Sequence, residues 1–274
     1  IAARAAEHRR ARPAGKRARM KKRPLLFATL ALLLGWQLLS WIIASGILPL
    51  RARSDILPGP LAVLPVFFTE LPGELGAHLL VSLWRVVGSM ALSIVLAVPA
   101  GLVMGQSRRL NELFSPLVYL TYPVPKVVFV PVVVLLLGVG DLAKIVTITL
   151  ILFFQILVPV RDAAANLRPE LIQSVRSLGA GRRALFRFVY LPASLPAVLT
   201  ALRLSVGTAV AVLYVAELYA TRQGLGYYIF LQGSTLFNYP AMYAGIVAMA
   251  LLGLGMYFAV DWAEKRLCKW QFIR

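Results

Sequence analysis

Long runs without charge constrain this chain more than any other feature of its sequence. From Leu25 to Leu50 no residue carries a charge, and an α-helix needs about 20 apolar residues to cross the hydrocarbon core of a bilayer. The composition agrees, because 59% of the residues are hydrophobic and 15% are charged, with a mean hydropathy of +0.78. In soluble domains, about 45–50% of the residues are apolar and about 25% are charged. We therefore predict an all-α, polytopic membrane protein and exclude disorder, a coiled coil and a disulfide-stapled module.

Similar runs recur along the chain and predict about six transmembrane helices. The third run contains Lys126 and several prolines, which lack a backbone N–H donor, so we expect it to be kinked. The last apolar stretch is too long for one helix and breaks at Asn238-Tyr239-Pro240. The expected spans are residues 25–50, 86–107, 113–140, 145–160, about 192–220 and about 241–260.

The basic residues fall mostly on one of the two sides that six spans define. Most of the 29 Lys and Arg lie in the N-terminal arm, in the C-terminal tail and in the loops after the second and fourth spans, and the opposite side has only Arg51, Arg53, Lys144 and Arg222. Lys and Arg are enriched in cytoplasmic loops, so we expect both termini in the cytoplasm. A net charge of +18 spread in this way does not form a basic face for nucleic acid, and we expect no nucleic-acid partner.

These spans divide the chain into five predicted regions. They are a basic cytoplasmic arm at 1–24, a first transmembrane helix at 25–50, an external segment at 51–82, a helical core at 83–262 with a cytoplasmic two-helix loop at 168–191, and a cytoplasmic tail at 263–274.

The sequence carries no recognisable catalytic motif. A phosphate-binding P-loop needs Gly-x-x-x-x-Gly-Lys-Ser/Thr, and the Gly15-Lys16 pair lacks both the earlier glycine and the following hydroxyl. The single cysteine, Cys268, excludes a disulfide and a CxxC metal site. We therefore expect a chain that is not an enzyme and that binds no metal or cofactor itself.

The loop at 168–191 has an organised pattern. Leu171, Val175 and Leu178 recur at helical spacing. Gly179-Ala180-Gly181 then interrupts the helix, and a second, basic helix follows from Arg182. The simplest interpretation is an amphipathic loop that rests on anionic headgroups.

The spacing within this loop resembles the EAA loop of ABC-importer permeases. That family has Glu-Ala-Ala, a Gly four residues later, and Leu-Pro twelve residues after the Gly. Here Gly179 and Leu191-Pro192 match, whereas Gln173-Ser174-Val175 replaces the Glu-Ala-Ala. Further segments resemble the nitrate/sulfonate/taurine subgroup, so that the resemblance covers roughly residues 82–262. They are Pro123-Val124-Pro125-Lys126, Leu202-Arg203, Ala216-Glu217 and Gly224-Leu225-Gly226-Tyr227.

The resemblance implies a type I importer permease in the bacterial inner membrane. Its expected partners are a cytoplasmic ABC ATPase dimer that binds ATP and Mg²⁺, a second permease subunit that would form a homodimer, and a periplasmic or lipid-anchored solute-binding protein. The subgroup implies a small oxyanion or organic anion as solute, such as nitrate, a sulfonate, taurine or bicarbonate. The residues implied to couple the loop to the ATPase are Gln173, Arg176, Ser177, Leu178, Gly179, Ala180, Arg182, Arg183, Leu191 and Pro192.

Ionisable residues within the spans are candidates for the solute pathway, because a charge in the membrane usually faces the helix bundle or water. Lys126 is a candidate partner for Glu217 or a cation that faces an anion; a purely structural pair is the alternative. Arg85 and Arg203 lie close enough to span ends for their side chains to reach the headgroups. The candidate pathway or gate residues are Tyr122, Pro125, Lys126, Arg203 and Glu217.

Two other functions remain open from the residues alone. An ion-gradient-driven secondary transporter would use Lys126 and Glu217 as its intramembrane charges. A membrane scaffold would transport nothing. The spacing of Gly179 and Leu191-Pro192 favours the importer permease.

Overall fold

The computed structural model describes residues 22–46, 56–219 and 221–271, and these residues form helices and turns without a β-strand. Five of the described helices are long and apolar enough to cross a membrane, or six if one bent pair of helices counts as a span. The predicted all-α membrane architecture is therefore confirmed. The predicted arm at 1–24 lies outside the described residues up to residue 21, as do parts of the external segment and tail, at 47–55 and 272–274.

In the N-terminal unit, residues 1–61, the described residues include the apolar helix α1 (Lys22–Ala44). The chain that follows is held against this helix by two hydrogen bonds. The Ser40 hydroxyl donates to the Leu57 carbonyl oxygen over 2.8 Å, and the Leu61 N–H donates to Gln37 Oε1 over 3.3 Å. Helix α1 ends before residue 50 because the turn at Ser45–Gly46 follows it, with Gly46 at φ +71°.

The second unit, residues 62–274, is built around the spans α3 (Glu74–Gln106), α6 (Asp141–Ala165), α9 (Leu191–Leu218) and α11 (Tyr239–Leu267). Helices α3 and α6 approach closely through small residues. A methyl group on Gly101 of α3 would lie 2.9 Å from the Leu157 carbonyl oxygen of α6. Small residues allow this close contact, which drives helix association in lipid.

The segment predicted to be external, 51–82, contains helices in its described part. Helix α2 (Pro60–Glu70) occupies its middle, and α3 already begins at Glu74. The absence of charge predicts a span that begins only at residue 86. In the structure, His78, Ser82 and Arg85 lie in the first turns of α3 and form hydrogen bonds with Gly224 and Glu217. Charged and polar residues therefore do not mark where α3 begins.

The third predicted span is a bent pair of helices. Helix α4 (Arg108–Thr121) is followed by a 3₁₀ turn (Lys126–Phe129) and by α5 (Val130–Leu137). The two arms meet at 80°. Pro123 and Pro125 occupy the break, and neither can donate a helical hydrogen bond. The predicted kink is thus a complete break.

Both predicted helices of the 168–191 loop are present. They are α7 (Pro169–Ser177) and a second helix that starts as α8 (Arg182–Leu185). The second helix passes through a π turn (Phe186–Tyr190) into α9, so that Arg182–Leu218 is one continuous helix of 37 residues. Pro192 has no N–H for the carbonyl one turn earlier, and a local change of helix type accompanies such gaps.

The C-terminal part begins with α10 (Leu225–Phe230) and a π turn (Leu231–Thr235). Helix α11 begins at Tyr239, as the break at 238–240 predicts. Asn238 caps it, since its Oδ1 accepts from the Ala241 N–H over 3.4 Å. Helix α11 extends to Leu267, past the predicted end of the last span, and a 3₁₀ turn follows at Lys269–Gln271.

Candidate functional site

The turn between α7 and α8, residues 176–182, projects from the helices and is called here the Gly179 turn. Gly179 has φ +81°, a conformation that glycine adopts without steric cost. Its N–H donates to the Arg176 carbonyl oxygen over 2.9 Å, which closes the end of α7. Leu178 at the tip is 85% exposed. Leu178 is therefore free to contact a partner.

The apolar face of α7 packs back on the chain. Leu171 and Val175 line a cavity of about 270 Å³ together with Phe188, Pro192 and Trp270. The helical spacing of Leu171 and Val175 predicts this face. Leu178 does not belong to it, because α7 ends at Ser177 and the turn directs Leu178 into solvent.

The structure places the predicted coupling residues in two groups. Around the Gly179 turn, Ala180 is half-buried and the other residues are exposed; they are Gln173, Arg176, Ser177, Leu178, Gly179, Arg182 and Arg183. Leu191 and Pro192 lie farther along the continuous helix, where Pro192 lines the cavity under α7. The first group forms a contiguous surface, and the second connects it to α9.

A second candidate site, the Glu217 cluster, joins α3, α6 and α9 through Ser82, Arg85, Asp141 and Glu217. Glu217 is 0% and Arg85 is 3% exposed. Arg85 Nη1 lies 2.7 Å from Glu217 Oε1, and Arg85 Nη2 lies 2.7 Å from Asp141 Oδ1. The Ser82 hydroxyl donates to Glu217 Oε1 over 2.8 Å. The charges are therefore paired and hydrogen-bonded, as buried charges must be.

The same cluster holds the chain that enters α10. The N–H groups of Gly224, Leu225 and Gly226 donate to His78 Nδ1, Ser82 Oγ and Glu217 Oε2, over 3.0, 2.8 and 2.8 Å. Arg85 Nη1 donates to the Gln223 carbonyl oxygen over 2.8 Å. Four successive residues are thus fixed by side chains.

At positions 224 and 226 only glycine fits this arrangement, because a side chain at either position would collide with neighbouring atoms. Gly224 has φ +114°, and a methyl group on it would collide with the Glu217 carboxylate. A methyl group on Gly226 would lie 2.8 Å from the Tyr214 carbonyl oxygen. The Gly-Leu-Gly segment and Glu217 are therefore one structural unit.

A cavity of about 540 Å³ lies beside the Glu217 cluster. Its lining includes Arg85, Asp141, Thr221, Arg222 and Gln223. The cavity thus combines apolar surface with charged groups of both signs, and Arg222 is its exposed cation.

Of the two alternatives for Lys126, the pairing with Glu217 is not found, because Glu217 is bonded to Arg85 and Ser82. Lys126 Nζ donates to the carbonyl oxygens of Thr121, Tyr122 and Val124 over 2.8, 3.1 and 3.4 Å, and it lies 4.6 Å from the centre of the Phe154 ring. Pro125 has no N–H for the Thr121 carbonyl, which accepts instead from the Val124 N–H over 3.2 Å, and the ammonium group is a further donor at the break. Lys126 therefore stabilises the bend.

The other candidate pathway residues also have structural neighbours. Tyr122 is 52% exposed, and its ring centre lies 5.9 Å from Lys126 Nζ. Pro125 precedes the 3₁₀ turn of the bent pair. Arg203 is buried and contacts Glu264 Oε2 over 2.6 Å and Asp261 Oδ1 over 3.2 Å. The expectation that Arg85 and Arg203 reach the headgroups is wrong, because acidic residues of other helices bind both.

Sequence reasoning missed His78, Ser82, Asp141, Asp261 and Glu264. A signal for the first two exists: His78, Ser82 and Arg85 are spaced four and three apart, which places them on one face of a helix. Asp261 and Glu264 are three residues apart, which likewise places them on one face of a helix. Among the described residues, no group of three or more His, Cys, Asp or Glu could hold a metal ion.

Comparisons with known proteins agree with this architecture. Residues 93–269 match a family described as the inner membrane component of binding-protein-dependent transport systems. A probable ABC transporter permease protein of Brucella abortus (strain 2308) is 33% identical over 241 residues, which cover 87% of this chain and 96% of the relative. The taurine transport system permease protein TauC of Escherichia coli (strain K12) is 30% identical over 220 residues, 78% of this chain and 80% of TauC.

A solved structure supports the fold. A chain of the MetNI methionine ABC transporter in an inward-facing conformation superposes with a TM-score of 0.60 at 22% identity, covering 71% of this chain and 96% of that one. At this identity the likeness concerns the fold alone.

Proposed function

This chain belongs to the family of inner membrane components of binding-protein-dependent transport systems, and from that membership we propose that its Gly179 turn couples the solute pathway to a separate cytoplasmic ATPase. The chain is an ABC-type importer permease of the taurine and sulfonate subgroup, a multi-pass component of the inner membrane and not a catalytic subunit. The proposal concerns how such a component works in this chain.

The exposed tip of the Gly179 turn carries the proposal. Leu178 is 85% exposed, and Arg176, Arg182 and Arg183 surround it with positive charge. An apolar anchor with charged surroundings fits a groove on a protein partner. Since Arg182–Leu218 is continuous, a movement of the turn is passed to α9 as a rigid-body displacement.

The remaining subunits follow from the family. We propose that ATP and Mg²⁺ bind to the ATPase dimer, that two copies of this permease enclose the pathway, and that a periplasmic or lipid-anchored binding protein delivers the solute. From the positive-inside distribution of Lys and Arg we propose that the Gly179 turn and both termini lie in the cytoplasm. The cavity beside the Glu217 cluster then faces the external side.

The proposed solute is a small oxyanion or organic anion, such as taurine, a sulfonate, nitrate or bicarbonate. The relative named for taurine transport supports this class. An ion-coupled mechanism through Lys126 and Glu217 is not retained, because these residues do not meet and each is bonded within the protein.

The coupling proposal is tested with Gly179→Pro. Proline fixes φ near −65° and cannot adopt the φ of +81° found at this position. We expect normal membrane insertion, loss of the co-purifying ATPase, and solute uptake lowered by at least about tenfold, equivalent to about 1.4 kcal/mol. Leu178→Ala removes the anchor and should act in the same direction.

Gly181→Ala is the matched control. Gly181 has a negative φ of −76°, and a methyl group on it would contact nothing within 4 Å. This variant should keep both the ATPase and uptake. Full uptake and an unchanged ATPase content in Gly179→Pro would overturn the coupling role of the turn.

A further inference from the structure

A cavity with an entirely apolar lining lies between α3, α4 and α6. Its volume is about 290 Å³, and its lining includes Ala100, Phe114, Leu117 and Leu157. Leu117 is 57% and Phe114 is 44% exposed, so the cavity reaches the outer surface of this unit. We call it the α4 cavity.

A buried arginine lies next to this cavity. Arg161 follows Leu157 by one turn of α6, and its guanidinium carbon lies 5.8 Å from the ring centre of Tyr119, the neighbour of the lining residue Val118. Arg161 is 8% exposed. Arg161 does not itself line the cavity, but it lies one helical turn beyond Leu157, which does.

The hydrogen bonds of Arg161 are incomplete. Nε and Nη2 each lie 2.9 Å from Asp162 Oδ1, whereas the buried Nη1 has no hydrogen-bond partner among the described residues. A buried donor without an acceptor costs about 1–3 kcal/mol, and more when it is charged. An external acceptor at this position would remove that cost.

Helix α4 provides the rest of the site. Its polar side carries Arg108, Arg109 and Glu112, while Leu110, Phe114 and Leu117 line the cavity. Arg108 and Arg109 lie in the first turn of α4, beside the lining residue Leu110, and basic residues at a membrane surface attract anionic lipids. Helix α4 runs at 80° to α5.

From these contacts we propose that the α4 cavity and Arg161 bind one anionic phospholipid of the inner leaflet. Arg161 Nη1 donates to a headgroup phosphate oxygen, and an acyl chain occupies the apolar cavity. The assignment to the inner leaflet rests on the proposed orientation of the permease. Only a molecule with both an anionic group and a long apolar part fits the two halves of the site.

The proposal is tested by measuring lipid binding to the full chain, purified in mild detergent together with the subunits that accompany it. Phosphatidylglycerol and phosphatidylcholine with identical acyl chains are titrated, and bound lipid is counted by native mass spectrometry. We expect the wild-type chain to keep one phosphatidylglycerol and to bind phosphatidylcholine at least about tenfold more weakly.

Two variants separate the headgroup from the acyl chain. Arg161→Gln should lower phosphatidylglycerol affinity at least about tenfold, and Ala100→Phe, which fills the cavity, should lower the affinity for both lipids. Arg168→Gln is the control, because it removes an exposed arginine on the same side and should bind lipid as the wild type does.

Several outcomes would overturn the proposal. They are equal binding of the two lipids to the wild-type chain, unchanged phosphatidylglycerol binding in Arg161→Gln, or a site that becomes accessible only when two copies of the chain dissociate. If Arg161→Gln does not fold, the comparison of the two lipids on the wild-type chain decides. Because lipid binding is measured without transport, a failure here leaves the ATPase-coupling proposal untouched, and the reverse also holds.

Discussion

At the scale of single residues, the Glu217 cluster shows how this chain keeps ionised groups inside the membrane. Glu217 has no exposed surface, yet its carboxylate receives hydrogen bonds from Arg85, Ser82 and the Gly226 N–H. An unpaired charge in this position would be strongly unfavourable. The geometry favours a structural role for Glu217: it joins α3, α9 and the start of α10.

Removal of one charge from this pair should destabilise the protein. We expect Glu217→Ala to lower the free energy of unfolding by about 3–5 kcal/mol, because it leaves Arg85 buried beside an incomplete set of acceptors. Thermal unfolding in detergent measures the effect. The double variant Arg85→Met/Glu217→Met should recover part of the loss, since it leaves no buried charge from this pair.

An exposed ion pair serves as the control. Arg108 Nε lies 2.7 Å from Glu112 Oε1, with side chains that are 91% and 61% exposed. Glu112→Ala should change stability by at most about 1 kcal/mol. If Glu217→Ala has an equally small effect but abolishes uptake, Glu217 belongs to the solute pathway instead.

Gly226 provides a second prediction at this scale. Its N–H donates to Glu217, and a methyl group would lie 2.8 Å from the Tyr214 carbonyl oxygen, too close without a backbone shift. Gly226→Ala should therefore lower the melting temperature, whereas Gly207→Ala in α9 should not, because no atom lies within 4 Å of the added methyl group. Equal melting temperatures for both variants would contradict this account.

The sequence predicts which residues are unusual here but not their partners. Glu217 and Arg203 stand out because they interrupt apolar runs. Of their partners, Arg85 is predicted near a span end, and Glu264 falls in the predicted cytoplasmic tail at 263–274. Pairing over 132 and 61 residues of sequence depends on how the helices pack, which hydrophobic periodicity does not contain.

At the scale of elements, the bent pair of helices depends on Lys126. Three carbonyl oxygens at the break accept from its ammonium group. The prolines, and therefore the bend, are visible in the sequence. The role of Lys126 is not visible in the sequence. A lysine within a predicted span suggests a contact with solute, whereas in the structure its ammonium group bonds carbonyls that lie two to five residues earlier in the chain.

The variant Lys126→Met distinguishes these roles. It retains a long side chain but removes the ammonium donor from the three carbonyls, of which Thr121 keeps the Val124 N–H, so we expect a loss of about 1 kcal/mol in stability and a partial loss of uptake. Lys126→Arg should recover stability. A stable Lys126→Met protein that transports nothing would instead indicate direct contact between Lys126 and solute.

At the scale of the whole molecule, the orientation in the membrane is open to a direct test. Leu178→Cys lies at the exposed Gly179 turn, and Arg222→Cys lies at an exposed position beside the 540 Å³ cavity. With a membrane-impermeant maleimide, we expect Arg222→Cys to react in spheroplasts and Leu178→Cys to react only after the membrane is permeabilised. The reverse pattern would invert the proposed topology.

The native cysteine should not interfere with this labelling. Cys268 is 0% exposed, and burial, with the nearby Glu264 carboxylate, raises the pKa of its thiol. A raised pKa leaves less of the reactive thiolate at neutral pH. The wild-type chain should therefore remain unlabelled in both preparations, which is checked by its unchanged mass.

The continuous helix Arg182–Leu218 limits how the length of this chain can change during evolution. One residue inserted into an α-helix advances it by 1.5 Å and rotates one end against the other by about 100°. Such an insertion would turn Glu217 away from Arg85, or the Gly179 turn away from its surface. The π turn at Phe186–Tyr190 is where the helix can accommodate an extra residue, because its wider hydrogen-bond spacing takes up one more position per turn. We therefore expect insertions and deletions among descendants of this chain to avoid 191–217, even where substitutions accumulate.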